Sequence, residues 1–203
     1  MGFYSEKFLP RFTDVTLGRP VEKLRARVAS GLSGEVLEVG FGSGRNVPHY
    51  PAAVVDVAAV DPAMYGRVLA AGRVAASRVP VRYVGLDGQE LPLADESIDS
   101  VLVTWTLCSI PDIDRALSEM RRVLRPGGAI HFIEHGRSPN PGIAKWQDRL
   151  TPLWGRIMGG CHLNRPIPEL LSGSGFALTR LETSAALGPE LVGYTFEGVA
   201  TKP

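Results

Sequence analysis

Residues 35–46 read EVLEVGFGSGRN, an apolar run with one carboxylate at its centre and three glycines at its end. A short apolar run closed by a glycine turn is the pattern of a buried parallel strand whose chain turns sharply beyond its carboxyl end. Glu38 restricts the reading further, because a carboxylate on a strand covered on both faces costs several kcal/mol unless something pairs with it. A cation or a set of hydrogen-bond donors is therefore expected beside it. The alternative, an outward charge on an edge strand, fits poorly with a first strand, which in doubly wound sheets is central.

The rest of the chain repeats the alternation. VVDVAAVD, VRYVGLD, IDSVLVTW and AIHFIEH read as further buried strands. Between them, Met64–Ser77 is alanine-rich and helical in pattern, and Ile113, Leu117, Met120, Val123 and Leu124 form an amphipathic helix stopped by RPGG. Upstream, Val21, Leu24, Val28 and Leu32 predict a helix from Pro20 to Leu32, with Gly34 as its stop. Strands alternating with helices imply a doubly wound α/β fold with helices on both faces. FALTRLETSA and YTFEGVAT are joined by a loop too short for a crossover helix, so they predict an antiparallel hairpin at the sheet edge.

With 22 basic and 21 acidic residues the net charge is +1, so no global field draws the chain to nucleic acid or anionic lipid. Arg121, Arg122 and Arg125 read as a solvated helix end rather than a nucleic-acid surface. The opening MGFYSEKFLPRFTD reads as neither signal peptide nor anchor, and Glu6 stands where a myristoylation signal needs Ser or Thr. No run approaches the roughly 18 apolar residues of a spanning helix. Cys108 and Cys161 lie far apart in an unpatterned context, which suggests reduced thiols and a cytoplasmic setting. A single domain over 1–203 is expected, with an N-terminal cap helix region (1–34), a cofactor-binding half (35–135) and an acceptor or lid region with the hairpin (136–203).

In open α/β sheets ligands bind beyond the carboxyl ends of the strands. The turn reads Gly40-x-Gly42-x-Gly44, and Arg45 occupies the place of the last glycine in the dinucleotide pattern G-x-G-x-x-G. A tight strand-to-helix connection is the plain alternative. Asp61 ends the second run in AAVDP, where a carboxylate can accept both hydroxyls of a ribose. Asp87, in GLDGQELPLAD, follows the third, where it can accept the amine of a base. Either alone could be a loop or N-cap aspartate. Acids on consecutive strands are a stronger signal.

VLEVGFGSG, AVDP, GLDGQELPLADESIDSV and EMRRVLRPGG together resemble the successive motifs of class I S-adenosylmethionine-dependent methyltransferases, in order, across about residues 35–135. The resemblance implies a Rossmann-like, mostly parallel seven-stranded sheet ending in an antiparallel strand. It implies that the Gly40–Gly44 turn passes under the methionine part of S-adenosylmethionine, with Glu38 ordering the turn and helping to receive the ammonium. Asp61, with Pro62 behind it, would hold the ribose, and Asp87 with Gly88 the adenine. Thr104 would offer its backbone to the amino-acid portion.

GSGRNVPHYP, TLCSIPD, RVLRPGGAIHFIEH and GCHLNR are similar to stretches of membrane-associated thiol S-methyltransferases, over about residues 35–180. That likeness implies a small apolar acceptor, a thiol by preference; an N-, O- or C-nucleophile on a lipid or quinone-like molecule, or a regulatory module that binds without turnover, are the alternatives. Those enzymes carry an N-terminal membrane segment not found in this sequence, so peripheral contact is the most that is expected. His135, at the end of the fifth strand, is the candidate general base, or else a histidine that hydrogen-bonds a loop; His162 is second. Cys108 reads as a small buried residue. Adjacent Cys161 and His162 do not make a metal site, and no other ligands cluster at zinc spacing, so no metal is expected. Ile143, Trp146, Leu150 and Leu153 share a helical face that reads as core, or as an apolar lid, and Pro152 is expected to interrupt that helix.

Overall fold

The structure is a computed structural model that describes residues 8–185 and 188–203; the readings made on residues 1–7 lie outside them. Seven strands form one sheet: β1 (Gly34–Val39), β2 (Val54–Val60), β3 (Val81–Gly85), β4 (Ile98–Thr104), β5 (Leu124–His135), β6 (Ala177–Ala185) and β7 (Tyr194–Thr201). Their order is β3-β2-β1-β4-β5-β7-β6. The first five pair in parallel, and β7 runs antiparallel between β5 and β6. The chain order reverses between β1 and β4, which opens the ligand crevice at their carboxyl ends.

Two cores cover the sheet because neighbouring residues of a strand face opposite ways. Leu37, Val39, Val101, Val103, Ile130 and Phe132 pack on one side with Leu117 and Met120 of α4 (Ile113–Val123). Val36, Leu102 and Ile133 pack on the other with Val28 and Leu32. Glu38 shares the face of Val36, and so looks toward the N-terminal helices.

Those helices differ from the sequence expectation. Two are present, α1 (Leu9–Thr16) and α2 (Glu22–Ala29), with a 3-10 turn over Arg19–Val21 before α2. α2 stops short of Leu32, and beyond its end the chain runs close against His131, where a Cβ at Gly31 would lie 2.7 Å from Cε1. Between β1 and β2 the crossover holds only a 3-10 turn, Val47–His49, with Pro48 inside it and Pro51 just beyond. α3 (Met64–Ala75) joins β2 to β3.

From β3 the chain reaches β4 through a loop, and the arginines expected to be solvated pin it. Arg122 meets the Glu119 and Asp95 carboxylates and donates to the carbonyls of Leu91 and Leu93. Arg125 pairs with Asp99.

The segment after β5 is also corrected. α5 (Pro141–Ile157) runs unbroken through Pro152. The proline removes one backbone bond, while Thr151 Oγ1 donates to the Gln147 carbonyl at 2.8 Å alongside the gap. Its buried residues are Ala144, Gln147 and Thr151; Trp146 and Leu153 are 56% and 57% exposed. Small Ala144 permits close approach, and the Gln147 amide is satisfied by Ser138 N–H and the carbonyls of Gly136 and Leu191. A polar side chain with a full set of partners can take the inner face that periodicity assigns to apolar ones. α6 (Ile167–Gly173) and the single turn α7 (Glu190–Gly193) complete the helices among the described residues.

Candidate active site

The glycine turn takes a shape that ordinary side chains resist. Gly40, Gly42 and Gly44 have φ of +79°, +52° and +71°. A Cβ at Gly40 would fall 1.8 Å from Thr106 Oγ1, whereas one at Gly42 would meet only the Gly40 carbonyl, at 3.9 Å, and project into open space. From below, α3 approaches through Gly66, where a Cβ would stand 2.6 Å from the Gly42 oxygen. Close helix packing is a task of the last glycine in a dinucleotide turn; here Arg45 is released for another. It donates to Asp14 Oδ1 at 2.7 Å and to Oδ2 at 2.8 Å, tying α1 across the turn.

Beneath the turn the donors expected around Glu38 are in place. Asn46 Nδ2 donates to Glu38 Oε1 at 2.9 Å, and the Tyr50 hydroxyl donates to Oε2. Arg25, reaching in from α2, donates to Asn46 Oδ1 at 2.8 Å and to Thr104 Oγ1 at 3.0 Å. Burial pushes the Glu38 carboxyl up to about 7 against the opposing pull of Tyr50, Asn46 and Arg25. It lowers the Arg25 guanidinium to about 10.

Asp61, just past β2, accepts the Gly42 N–H at 2.7 Å through Oδ2 and the Ala63 N–H at 2.7 Å through Oδ1. Burial raises its pKa despite both bonds. Asp87 is exposed, and the Gln89 side-chain and backbone N–H groups hold its pKa low.

Gly40, Gly42, Asp61, Pro62, Asp87, Gly88 and Thr104 all line one cavity of about 580 Å³, roofed by Thr13 and Asp14 of α1. Glu38, Gly44 and His135 do not line it. The Pro20–Leu32 segment contributes Arg25 to the lining, and the unforeseen α1 contributes Thr13 and Asp14.

The far wall of the cavity is the loop after β4. Trp105 opens it at φ +52°, Arg25 stacks over its ring at 4.8 Å, and its buried Nε1 has no hydrogen-bond partner. Two buried charges hold the loop from opposite sides. Glu134 accepts the N–H groups of Thr106 at 2.7 Å and Leu107 at 2.9 Å, and the weaker one of Cys108 at 3.4 Å. Arg165 donates to the carbonyls of Leu107 and, at 2.6 Å, Ile110. Burial raises Glu134 to about 7. The roles of Arg25, Asn46, Glu134 and Arg165 escaped the sequence reading; the available signals were Glu134, a carboxylate in a mostly apolar strand, and Arg165, a charge in a loop-forming stretch, whereas Arg25 lies among the other charges of its helix.

His135 faces Cys161, with Nε2 and Sγ 2.9 Å apart. Burial works against the imidazolium, but Cys161 and Glu134 outweigh it and leave the His135 pKa raised. Contact with Cys108, then burial, pushes the Cys161 thiol up. Chain spacing hid this arrangement, in which three separate connections bring Cys108, His135 and Cys161 together behind the cavity wall.

The frame matches known proteins. The family model described as Methyltransferase domain covers residues 37–132. The human thiol S-methyltransferase TMT1A is 34% identical over 207 residues, spanning 96% of this chain and 84% of the relative. Human thiol S-methyltransferase TMT1B is 34% identical over 81% of this chain and 72% of its own length. A solved SAM-dependent methyltransferase from Aquifex aeolicus superposes with a TM-score of 0.64 at 20% identity, over 94% of this chain and 93% of that one. Sheet, glycine turn and family model together define a Rossmann-like methyltransferase that draws its methyl group from S-adenosylmethionine. The chain belongs to the family of the thiol S-methyltransferases.

The residues present fit that cofactor. Gly42 leaves open space over the turn, Asp61 and Asp87 are acceptors at two successive strand tips, and Trp105 Nε1 is a buried donor still to be matched.

Proposed function

We propose that this enzyme methylates small, apolar thiols. The observation that carries the proposal is the match to relatives named thiol S-methyltransferases, which extends over nearly the whole chain and so includes the acceptor side. Part of the cavity wall suits such an acceptor: Trp105, Ile110, Pro111 and Gly159 line it, beside polar groups that include Thr106 and Ser109.

In this reading Asp61, backed by Pro62, takes the ribose hydroxyls, and Asp87 with Gly88 takes the adenine. The Gly40–Gly44 turn and the Thr104 backbone take the amino-acid portion. Glu38 acts one layer down, keeping Asn46 and the turn in register. When bound, S-adenosylmethionine supplies a methyl group activated by its sulfonium. The chain's own contribution is placement: a nucleophile held about 3–3.5 Å from the carbon it attacks, in line, gains much of its rate from positioning. A thiolate loses charge as it meets a sulfonium, and a dry apolar wall favours that loss. Free thiols titrate near 8.5, so ionising the acceptor is the remaining task. His135 does not line the cavity and its Nε2 is taken up by Cys161, so its contribution is placed elsewhere below.

The reading treats 35–135 as the cofactor half and 136–203 as the acceptor side of one unit. A reducing, cytoplasmic setting belongs to it, supported by two cysteines outside any disulfide. No helix of the described residues is long and apolar enough to cross a membrane.

Incubation with methyl-labelled cofactor and parallel panels of alkyl thiols, aryl thiols and phospholipids tests the acceptor. Label in methyl thioethers is expected. Label in the lipids alone would overturn the thiol assignment.

A further inference from the structure

Cys108 Sγ, His135 Nε2 and Cys161 Sγ lie within 4.8 Å of one another, and all three residues are buried. They come from three connections at the carboxyl end of the sheet: the loop after β4, the tip of β5, and the segment after α5. No other cluster of this kind occurs among the described residues. A tetrahedral zinc with Zn–S near 2.3 Å and Zn–N near 2.0–2.1 Å holds neighbouring donors roughly 3.5–3.8 Å apart. The 2.9 Å between His135 Nε2 and Cys161 Sγ would have to widen by about 0.6 Å, and the widest pair, at most 4.8 Å apart, to close by at most about 1 Å, adjustments on the scale of side-chain rotation.

Two thiolates and an imidazole are soft and borderline donors, the set that selects zinc over calcium or magnesium. Their surroundings suit the charge. Two thiolates neutralise a divalent cation, and Trp154 Nε1 already donates to Cys161 Sγ at 3.3 Å. With three protein ligands the tetrahedron keeps one place, as in catalytic rather than structural zinc sites. That place is close to the cavity: Ser109, next to Cys108, and Gly159, two residues before Cys161, both line it. Cys108, His135 and Cys161 are themselves buried just outside the lining.

We propose that Cys108, His135 and Cys161 bind one zinc-class ion whose open fourth position takes the acceptor thiol. Coordination forms a metal–sulfur bond and releases the thiol proton to solvent, leaving a thiolate at neutral pH. The fourth-position part rests on the thiol reading above; the metal site does not. It also gives His135 a function that needs no direct contact with the cavity.

The test is a cobalt titration of untagged, freshly reduced protein. One equivalent is expected, with thiolate-to-cobalt charge-transfer absorption and the intense d–d bands of a tetrahedral ion. Cys108→Ser, Cys161→Ser and His135→Ala should each weaken binding at least tenfold, with circular dichroism and melting temperature showing which variants remain folded. Adding an alkanethiol should shift the d–d bands, and zinc should displace cobalt. Failure of the wild-type protein to bind either metal, or binding that persists in all three variants, overturns the site. Binding with spectra insensitive to thiol overturns the fourth-position role. A metal-bound protein that methylates no thiol would instead strike at the acceptor assignment and leave the site standing.

Discussion

Asp61 Oδ2 accepts the backbone N–H of Gly42 at 2.7 Å, so the tip of β2 and the glycine turn after β1 are set by one bond. The acid that closes one wall of the cavity also fixes the turn that forms another. Asp87 has no such duty: its hydrogen bonds run to neighbouring Gln89.

The two acids should therefore separate in mutation. Asp87→Ala is expected to weaken S-adenosylhomocysteine about 10–100-fold, the range of a hydrogen bond to a charged group, and to leave the melting temperature unchanged. Asp61→Ala should weaken binding at least as much and also lower the melting temperature, because the Gly42 and Ala63 N–H groups lose their acceptor. Calorimetry and thermal melts read both.

Gly40 and Gly42 should differ in the opposite sense. Gly40→Ala combines positive φ with a clash at Thr106 Oγ1, which should cost about 3 kcal/mol and roughly 6–12 °C in melting temperature. Gly42→Ala meets open space, so it should cost about 1 kcal/mol in stability, with its methyl group obstructing the cofactor. A loss of affinity larger than the loss of stability marks the second variant.

Glu38 predicts a pH effect of definite sign. Burial holds it near 7 in the folded protein against an ordinary value of 4.5. Its contribution to stability is complete below pH 4.5, where both states keep the proton. It is lost as pH rises to about 7, by on the order of 3 kcal/mol, because the unfolded chain releases the proton first. In Glu38→Gln that loss is gone, so variant stability minus wild-type stability should climb between pH 4.5 and 7 and then level. Urea unfolding across this range reads it; a difference that stays constant contradicts the assignment.

What was legible in the sequence follows from chain geometry. Asp61 and Asp87 could be placed because apolar runs mark where strands end, and strand ends are where ligands bind. The hairpin and sheet class followed from connection lengths. Glu38 announced a set of partners without naming them, since Asn46, Tyr50 and Arg25 come from a loop and a helix whose approach is tertiary. Glu134 and Arg165 were missed for a related reason: they hold backbone groups of the loop after β4, which have no sequence signature. On α5 the apolar periodicity was real, but Trp146 and Leu153 are exposed and Ile143 and Leu150 only half-buried, because Gln147, with three backbone partners, takes the inner face. Cys108, His135 and Cys161 come together only through the topology.

The most direct measurement is a calorimetric titration of the wild-type protein with S-adenosylhomocysteine, with NADH run in parallel. The account predicts a single site for S-adenosylhomocysteine, weakened by Asp87→Ala, and no heat with NADH. Absence of heat with S-adenosylhomocysteine, or an affinity indifferent to Asp87, would contradict a cavity built from strand-tip acids and the glycine turn.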